Sequence, residues 1–477
     1  MSFGSLLFDD SQLAEIHDAS LKILRHTGVR VHLDEALELL RGAGCQVSDG
    51  DLVKIPAAVV DEALGSAPSS IVLYGRDGAQ RVCLEGRRTF FGTGSDLPNI
   101  LDLETGERRL SRLSDVADTA RLADSLPNLD FVMSMALPSD VPPATSDRHS
   151  FLAMIENTTK PVVFTAWDES GLADIIAMAE AVAGGAEQLG LEPFLLAYLE
   201  PTSPLQHSET VLRKMLMMAD KRLPFVYAPG PVEGASAPVT SAGSLVMANA
   251  EILSGIAIAQ LRQAGTPIVY GSGSGPLDMR TTVATYSGPE FMLHCRAIAE
   301  LGQRLYHLPT WGFSGCTDAK VPDVQAGADA GLWILWTALS GNNLVHDIGY
   351  VESGMTCSHE MIVLCDEIVD FVRRLTGGIE LGPETLALAT IDEVGPGGDY
   401  LTTEHTLRHY KDCWYPQLFD RFSHQSWHAA GSPPIVDTAR AAARDAIARH
   451  EPDPLPAETL EELRTIVAAA DERARIK

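Results

Sequence analysis

The stretch Pro161-Val-Val-Phe-Thr165 has four counterparts along the chain: Pro193-Phe-Leu-Leu-Ala-Tyr-Leu199, Pro224-Phe-Val-Tyr-Ala228, Pro267-Ile-Val-Tyr-Gly271 and Pro309-Thr-Trp-Gly-Phe313. In each, the proline stops the element before it and is tolerated as the first residue of a strand. The run that follows is apolar without polar alternation, as expected of a strand covered on both faces. Three further runs, at 89–92, 131–136 and 344–347, have the same character without the proline. Helical stretches at 114–125, 147–156, 172–182, 209–220, 241–261, 290–306, 324–339 and 360–375 follow the eight strands in turn. Eight strand–helix units within 89–377 predict an α/β fold, a closed (β/α)8 TIM barrel. An open doubly wound sheet is the alternative, but no G-x-G-x-x-G follows the first strand.

Outside the barrel the rhythm differs. Residues 1–88 read as a small N-terminal α+β cap. Asp9, Asp10 and Ser11 start a helix with Leu13, Ile16, Ala19 and Ile23 at helical spacing, and Gly28 ends it. A helix over 34–41 stops at Gly42, and runs at 71–74 and 81–84 flank Arg76-Asp-Gly78 as a hairpin. Residues 378–477 read as a helical C-terminal extension: a segment over 381–394, the turn Gly395-Pro-Gly-Gly398, a Trp/Tyr/His-rich stretch, a helix over 438–449 capped by Asp437, and a charged helix over 457–475.

Composition narrows the function. A net charge of −28 argues against nucleic acid as a partner and suits a cationic small ligand. The first ten residues lack a basic region followed by an apolar run, so no secretory leader is expected. The longest apolar stretch, 241–261, carries Asn249 and Glu251 and reads as a buried helix rather than a membrane span. Seven scattered cysteines without a C-x-x-C predict free thiols in a reducing compartment, hence a cytoplasmic enzyme.

In such barrels the chemistry sits at the C-terminal ends of the strands. Those positions here are rich in glycine and carry Phe91, Trp167, Tyr198, Tyr227, Tyr270, Trp311, Phe313 and Tyr350, although aromatics are only 6% of the chain. Aromatic faces with nearby carboxylates are how proteins hold quaternary ammonium groups. Asp96, Glu200, His346 and Glu352 lie at the same ends. His346 and Asp347 are adjacent, so regular strand alternation would send them to opposite faces. No G-x-S-x-G or H-E-x-x-H is present, and no Gly-Lys-Ser/Thr follows Gly271-Ser-Gly-Ser-Gly275, so no directly bound metal or nucleotide is expected. The competing readings are a metal-assisted barrel hydrolase or lyase using His346, Asp96, Asp318 or Cys316, and a non-catalytic betaine-binding subunit.

Several blocks together resemble the trimethylamine methyltransferase family: Phe91-Gly-Thr-Gly-Ser-Asp96, Asp102-x-x-Thr-Gly-Glu-Arg-Arg109, Thr158-Thr-Lys-Pro161, Ala235-x-Ala-Pro-Val-Thr240, Gly315-Cys-Thr-Asp-Ala-Lys320 with Asp323-x-Gln-Ala-Gly327, His346-Asp-x-Gly-Tyr350 with Glu352-Ser-Gly354, and Glu393-Val-Gly-Pro-Gly-Gly398 with Glu404-His-Thr406. The resemblance spans nearly the whole chain. It implies a TIM barrel that moves a methyl group to the cob(I)alamin of a partner corrinoid protein, in one-carbon metabolism. The trimethylamine enzymes carry an in-frame pyrrolysine, which this sequence lacks. It therefore resembles the non-pyrrolysine branch, acting on glycine betaine and related quaternary amines.

The chemistry agrees with that branch. A quaternary nitrogen leaves as a neutral tertiary amine and needs no proton, only positioning in a water-poor box. Under this reading Phe91, Trp167, Tyr227, Trp311, Phe313 and Tyr350 wall the ammonium head. Asp96, Glu200 and Glu352 are candidates for the balancing carboxylate. His346 and the glycine-rich backbone at 271–275 and 312–315 hold the substrate's own carboxylate. With Asp96 and Glu200, His346 is placed in the catalytic set. A homo-oligomer is expected, and Gly395-Pro-Gly-Gly398 with His405 and His409 is a candidate corrinoid-docking surface, against the plainer reading of a turn and a packed helix.

Overall fold

The structure, a computed structural model, describes residues 6–476. Residues 1–5, the start of the stretch read above for a leader, lie outside them. Seven strands form one parallel sheet: β1 (Phe90–Thr93), β2 (Val162–Phe164), β3 (Leu195–Leu199), β4 (Phe225–Tyr227), β5 (Ile268–Gly271), β6 (Thr310–Phe313) and β7 (Leu344–Ile348), in the order β1-β7-β6-β5-β4-β3-β2. The sheet curls so that its two edges face the segment predicted as the second strand. Phe131 bridges Gly92 on one side and Val132 bridges Val162 on the other, both in parallel sense. The TIM barrel is thus completed at its eighth position by single bridges rather than a ladder.

The local reason is a side chain standing in for backbone. Thr93 Oγ1 accepts from Met133 N at 2.8 Å and donates to Met133 O at 2.9 Å, occupying groups that a ladder would have used. Gly92 is required beside it, because a Cβ there would sit 2.6 Å from the Phe131 ring. The prolines at the strand starts also have a role in the wall. They have no N–H, yet their carbonyls accept from a neighbouring strand or segment: Pro161 from Val132, Pro224 from Ala197, Pro267 from Phe225, Pro309 from Tyr270, and Pro193 from Tyr74.

The N-terminal sheet places Val29–Val31 between antiparallel Leu52–Lys54 and parallel Gln206–His207, a two-residue strand contributed by the loop after β3. Asp9 makes a full capping box with Gln12. The helix Ala57–Ser66 was not predicted. Ser241–Arg262 is long and apolar enough to cross a membrane, but it lies inside the protein. Its Asn249 is satisfied there by Ser20, Tyr270 and Tyr306. All seven cysteines are free. In the extension, Ile435–Arg449 begins at Pro434, three residues before the predicted start; Asp437 lies within the first turn and pairs with Arg440 instead of capping. That helix packs on Leu113–Ser125 and His359–Thr376, and Ala457–Ile476 packs on Ser146–Asn157 and Glu169–Ala183.

Candidate functional site

A cavity of about 330 Å³ opens at the C-terminal ends of four adjacent wall positions. Ser95 and Asp96 follow β1, Leu137 follows the Phe131 segment, Thr165 to Trp167 follow β2, and Tyr198 and Glu200 end β3. Ser146, Asp147 and Ser150 on one helix, and Val211 and Lys214 on another, complete the lining.

Trp167 is 54% exposed, so the cavity is open to solvent. Its ring is held in place: the indole Nε1 donates to Ser146 Oγ at 2.8 Å, and its backbone N–H donates to Asp147 Oδ2 at 2.9 Å. Asp168, beside it, caps the following helix through Gly171 N. Asp96 adopts φ +61°, which turns its carboxylate toward Ser134 and Thr165; their hydroxyls donate to it at 3.0 and 2.7 Å. Burial pushes its pKa up, and those hydroxyls pull it partly back.

Glu200 is accessible yet enclosed by protein. Burial, and then the nearby Glu251 carboxylate, push its pKa up to about 7. Gly230 makes room for it, since a Cβ there would meet Glu200 Oε1 at 2.7 Å. On another wall Lys214 is buried, and its Nζ donates to Ala166 O at 2.6 Å. No second acceptor reaches it among the described residues, which leaves two ammonium protons for a ligand. Burial lowers its pKa.

Tyr198 joins this cavity to an aromatic stack inside the barrel. Its ring lies 5.6 Å from Trp311 and 6.0 Å from His346, and His346 lies 4.4 Å from both Trp311 and Phe313. His346 Nδ1 is 3.0 Å from Gly312 O, so that nitrogen carries the proton and Nε2 presents its lone pair. Asp347 Oδ1 stands 3.3 Å from Nε2. This corrects the expectation that the two residues diverge: Asp347 takes φ +79°, which breaks strand alternation and brings both side chains to one side. Burial drives the Asp347 pKa well up and that of His346 down to about 3, so it disfavours the charged form of each.

The structure therefore brings Asp96, Trp167 and Glu200 into one cavity and sets Trp311, Phe313 and His346 beside it. Tyr350 is buried behind the lining residue Ser95, its hydroxyl donating to Ser95 O and accepting from Ser95 N, both at 2.6 Å. Three nominated residues are placed elsewhere. Phe91 faces the outer helices under Arg373, whose guanidinium lies 6.0 Å from the ring. Tyr227 turns outward against Gly255 and His207. Glu352 is engaged by Arg108 at 2.7 Å and by Thr356; burial alone would raise its pKa, but those two partners outweigh it and hold the carboxyl ionised.

In the direction of an added Cβ, Gly271 and Gly273 are covered by Trp311 and Phe313, and Gly312 by Asn342; none of the three lines the cavity. Asp318 is occupied by Tyr286 N, Ser287 N and Ser353 Oγ, and Cys316 Sγ points to Tyr286 O. The sequence did not single out Lys214, and it placed Asp347 on the face away from His346. Lys214 had one available signal, a cation among the apolar positions of its helix.

The family model for trimethylamine methyltransferase (MTTB) matches residues 5–474. Trimethylamine methyltransferase MttB of Desulfitobacterium hafniense (strain DSM 10664 / DCB-2) is 32% identical over 471 residues, covering 98% of this chain and 95% of the relative. The MttB of Methanosarcina barkeri (strain Fusaro / DSM 804) is 34% identical over 486 residues, covering 98% and 96%. A glycine betaine methyltransferase of Desulfitobacterium hafniense (strain Y51) is 30% identical over 424 residues, covering 88% of each. Among solved structures, the hydroxylamine complex of MtmB superposes with a TM-score of 0.55 at 12% identity, covering 93% of this chain and 88% of that one, a likeness of fold. The open cavity at the mouth of this barrel is thus the candidate site of a methyltransferase, and the chain belongs to the trimethylamine methyltransferase family.

Proposed function

We propose that this methyltransferase takes a methyl group from a small quaternary amine bearing a carboxylate, with glycine betaine as the reference substrate, and passes it to a corrinoid carried by a separate protein. The observation that carries this reading is the two-signed cavity. Trp167, Tyr198, Asp96 and Glu200 offer aromatic faces and carboxyls to a cation, and Lys214 offers ammonium protons to an anion. The relative named for glycine betaine and the absence of pyrrolysine support the same choice.

A cob(I)alamin acceptor supplies the nucleophile that receives the methyl group. The exposure of Trp167 suits an acceptor delivered from outside. Within the chain, Lys214 fixes the substrate carboxylate, and the rings of Trp167 and Tyr198 orient the ammonium by its face contacts. The N–CH₃ bond breaks with its electron pair left on nitrogen, and the amine departs neutral. No residue has to donate a proton, so the His346–Asp347 pair acts as a positioning device that packs Trp311, Phe313 and Tyr198 in place.

A fully ionised carboxylate in contact would stabilise the cation more than the transition state, in which that charge is leaving. Glu200, titrating near neutrality, moderates this penalty. Its raised pKa sets a sign for pH: Glu200 gains charge as pH rises through about 7, so the Kd for glycine betaine should fall across that range. The expected change is several-fold by calorimetry, since a partly solvated ion pair contributes about 1 kcal/mol. Glu200→Gln should flatten the profile; an unchanged profile in this variant would remove Glu200 from the site.

The reaction itself is tested by mixing the purified chain, a reduced corrinoid and glycine betaine. Methylcobalamin and dimethylglycine should appear in equal amounts. Absence of transfer from glycine betaine, proline betaine, carnitine and butyrobetaine alike would end the substrate assignment.

A further inference from the structure

From 373 to 438 no residue is buried, although the segment contains four short α-helices and a turn of 3-10 helix. Ordered backbone costs conformational entropy that burial must offset, and this stretch has almost no burial of its own. It is also apolar. Ile379, Leu381, Leu388, Leu401, Leu407 and Phe422 are between 68% and 82% exposed, and five further large apolar side chains between 379 and 422 are exposed as well. Together they present roughly 1,000 Å² of apolar surface, more than one side of a standard protein interface. A monomer rarely leaves so many large apolar side chains of one segment in water.

We infer that residues 379–422 form an arm that packs against a second copy of this chain. Two observations select that occupant over a corrinoid protein. The first is place. The arm leaves the helix His359–Thr376 at its far end, where Arg373 binds Asn128 and Asp130 on the chain leading into the wall at Phe131. That is the end of the barrel opposite the cavity. Its return is pinned to the same half of the helix: Trp414 Nε1 donates to Asp370 at 2.6 Å, and the backbone N–H groups of Gln417, Leu418 and Phe419 donate to Glu367 at 3.0–3.1 Å. A methyl acceptor must meet the substrate at the mouth. Gly395 to Gly398, His405 and His409 belong to this arm, so their expected docking partner changes from the corrinoid protein to another subunit. The second is permanence. An acceptor that comes and goes leaves the apolar arm in water between turnovers, whereas an identical subunit covers it continuously through an isologous contact.

The test uses the full chain. In sedimentation equilibrium at low micromolar concentration the protein should be oligomeric. The double variant Leu401→Asp/Leu407→Asp should sediment as a monomer with unchanged circular dichroism. Val324→Asp, at a residue 91% exposed on a barrel helix, should remain oligomeric. Because a charged variant can unfold the arm itself, hydrogen exchange on the unmodified chain gives a second readout: amides in 379–422 should be protected and lose protection on dilution. A monomeric unmodified protein overturns the inference, as does an oligomer that the double variant leaves intact. Arm protection that appears only when corrinoid protein is added also overturns it and reassigns the surface to that partner.

Discussion

Replacing Lys214 with methionine is expected to raise KM for glycine betaine about 30- to 150-fold, the equivalent of the roughly 2–3 kcal/mol of a charge-assisted contact in a partly buried site. Methyl transfer from tetramethylammonium, which has no carboxylate, should change less than about threefold, since uniform binding to the missing group cannot be lost. Methionine preserves most of the packed stem and removes the ammonium, so the lost hydrogen bond to Ala166 O is the one structural cost. The pair of substrates makes the measurement decisive. Equal losses on both would give Lys214 a structural role, and unchanged kinetics on both would place the substrate carboxylate elsewhere.

Trp311→Ala should cost about 3–5 kcal/mol of folding stability, the range for truncating a large buried aromatic. Trp311 is completely buried at the centre of the barrel, in contact with His346 and within ring-packing distance of Tyr198 and Phe131. A Cβ on Gly271 would already touch it, so the surrounding wall has little freedom to collapse into the void. Trp311→Phe should cost far less, because among the described residues the indole Nε1 has no hydrogen-bond partner to lose. Urea denaturation of both variants checks the contrast. A loss below about 1 kcal/mol for the alanine variant would mean that the barrel interior is loosely filled, against the packing expected of a TIM barrel.

The strands at 162, 194, 225, 268 and 310 were legible because proline punctuation and both-face apolarity are local properties. The run at 131–136 shares that composition but makes only bridges, because the Thr93 hydroxyl takes the backbone groups of Met133 that a ladder needs. No composition rule encodes that substitution. The relation of His346 to Asp347 was misread for a similar reason: alternation assumes extended φ at every residue, and Asp347 departs from it. Lys214 was overlooked because a helix places a lysine in a cavity only through its rotation and its neighbour's height, both of which are set by packing.

By itself the sequence determined the barrel and the family, and it set the expectation of a substrate already quaternary. Those follow from punctuation, apolar runs, joint motifs and the absence of one residue. Only the tertiary structure decided which aromatics line the open cavity. A barrel strand covered on both faces is apolar on both, so it carries no period-2 signal to tell inside from outside. That is why Trp167 stands in the open cavity while Phe91 and Tyr227, equally plausible in the sequence, turn outward to the helices.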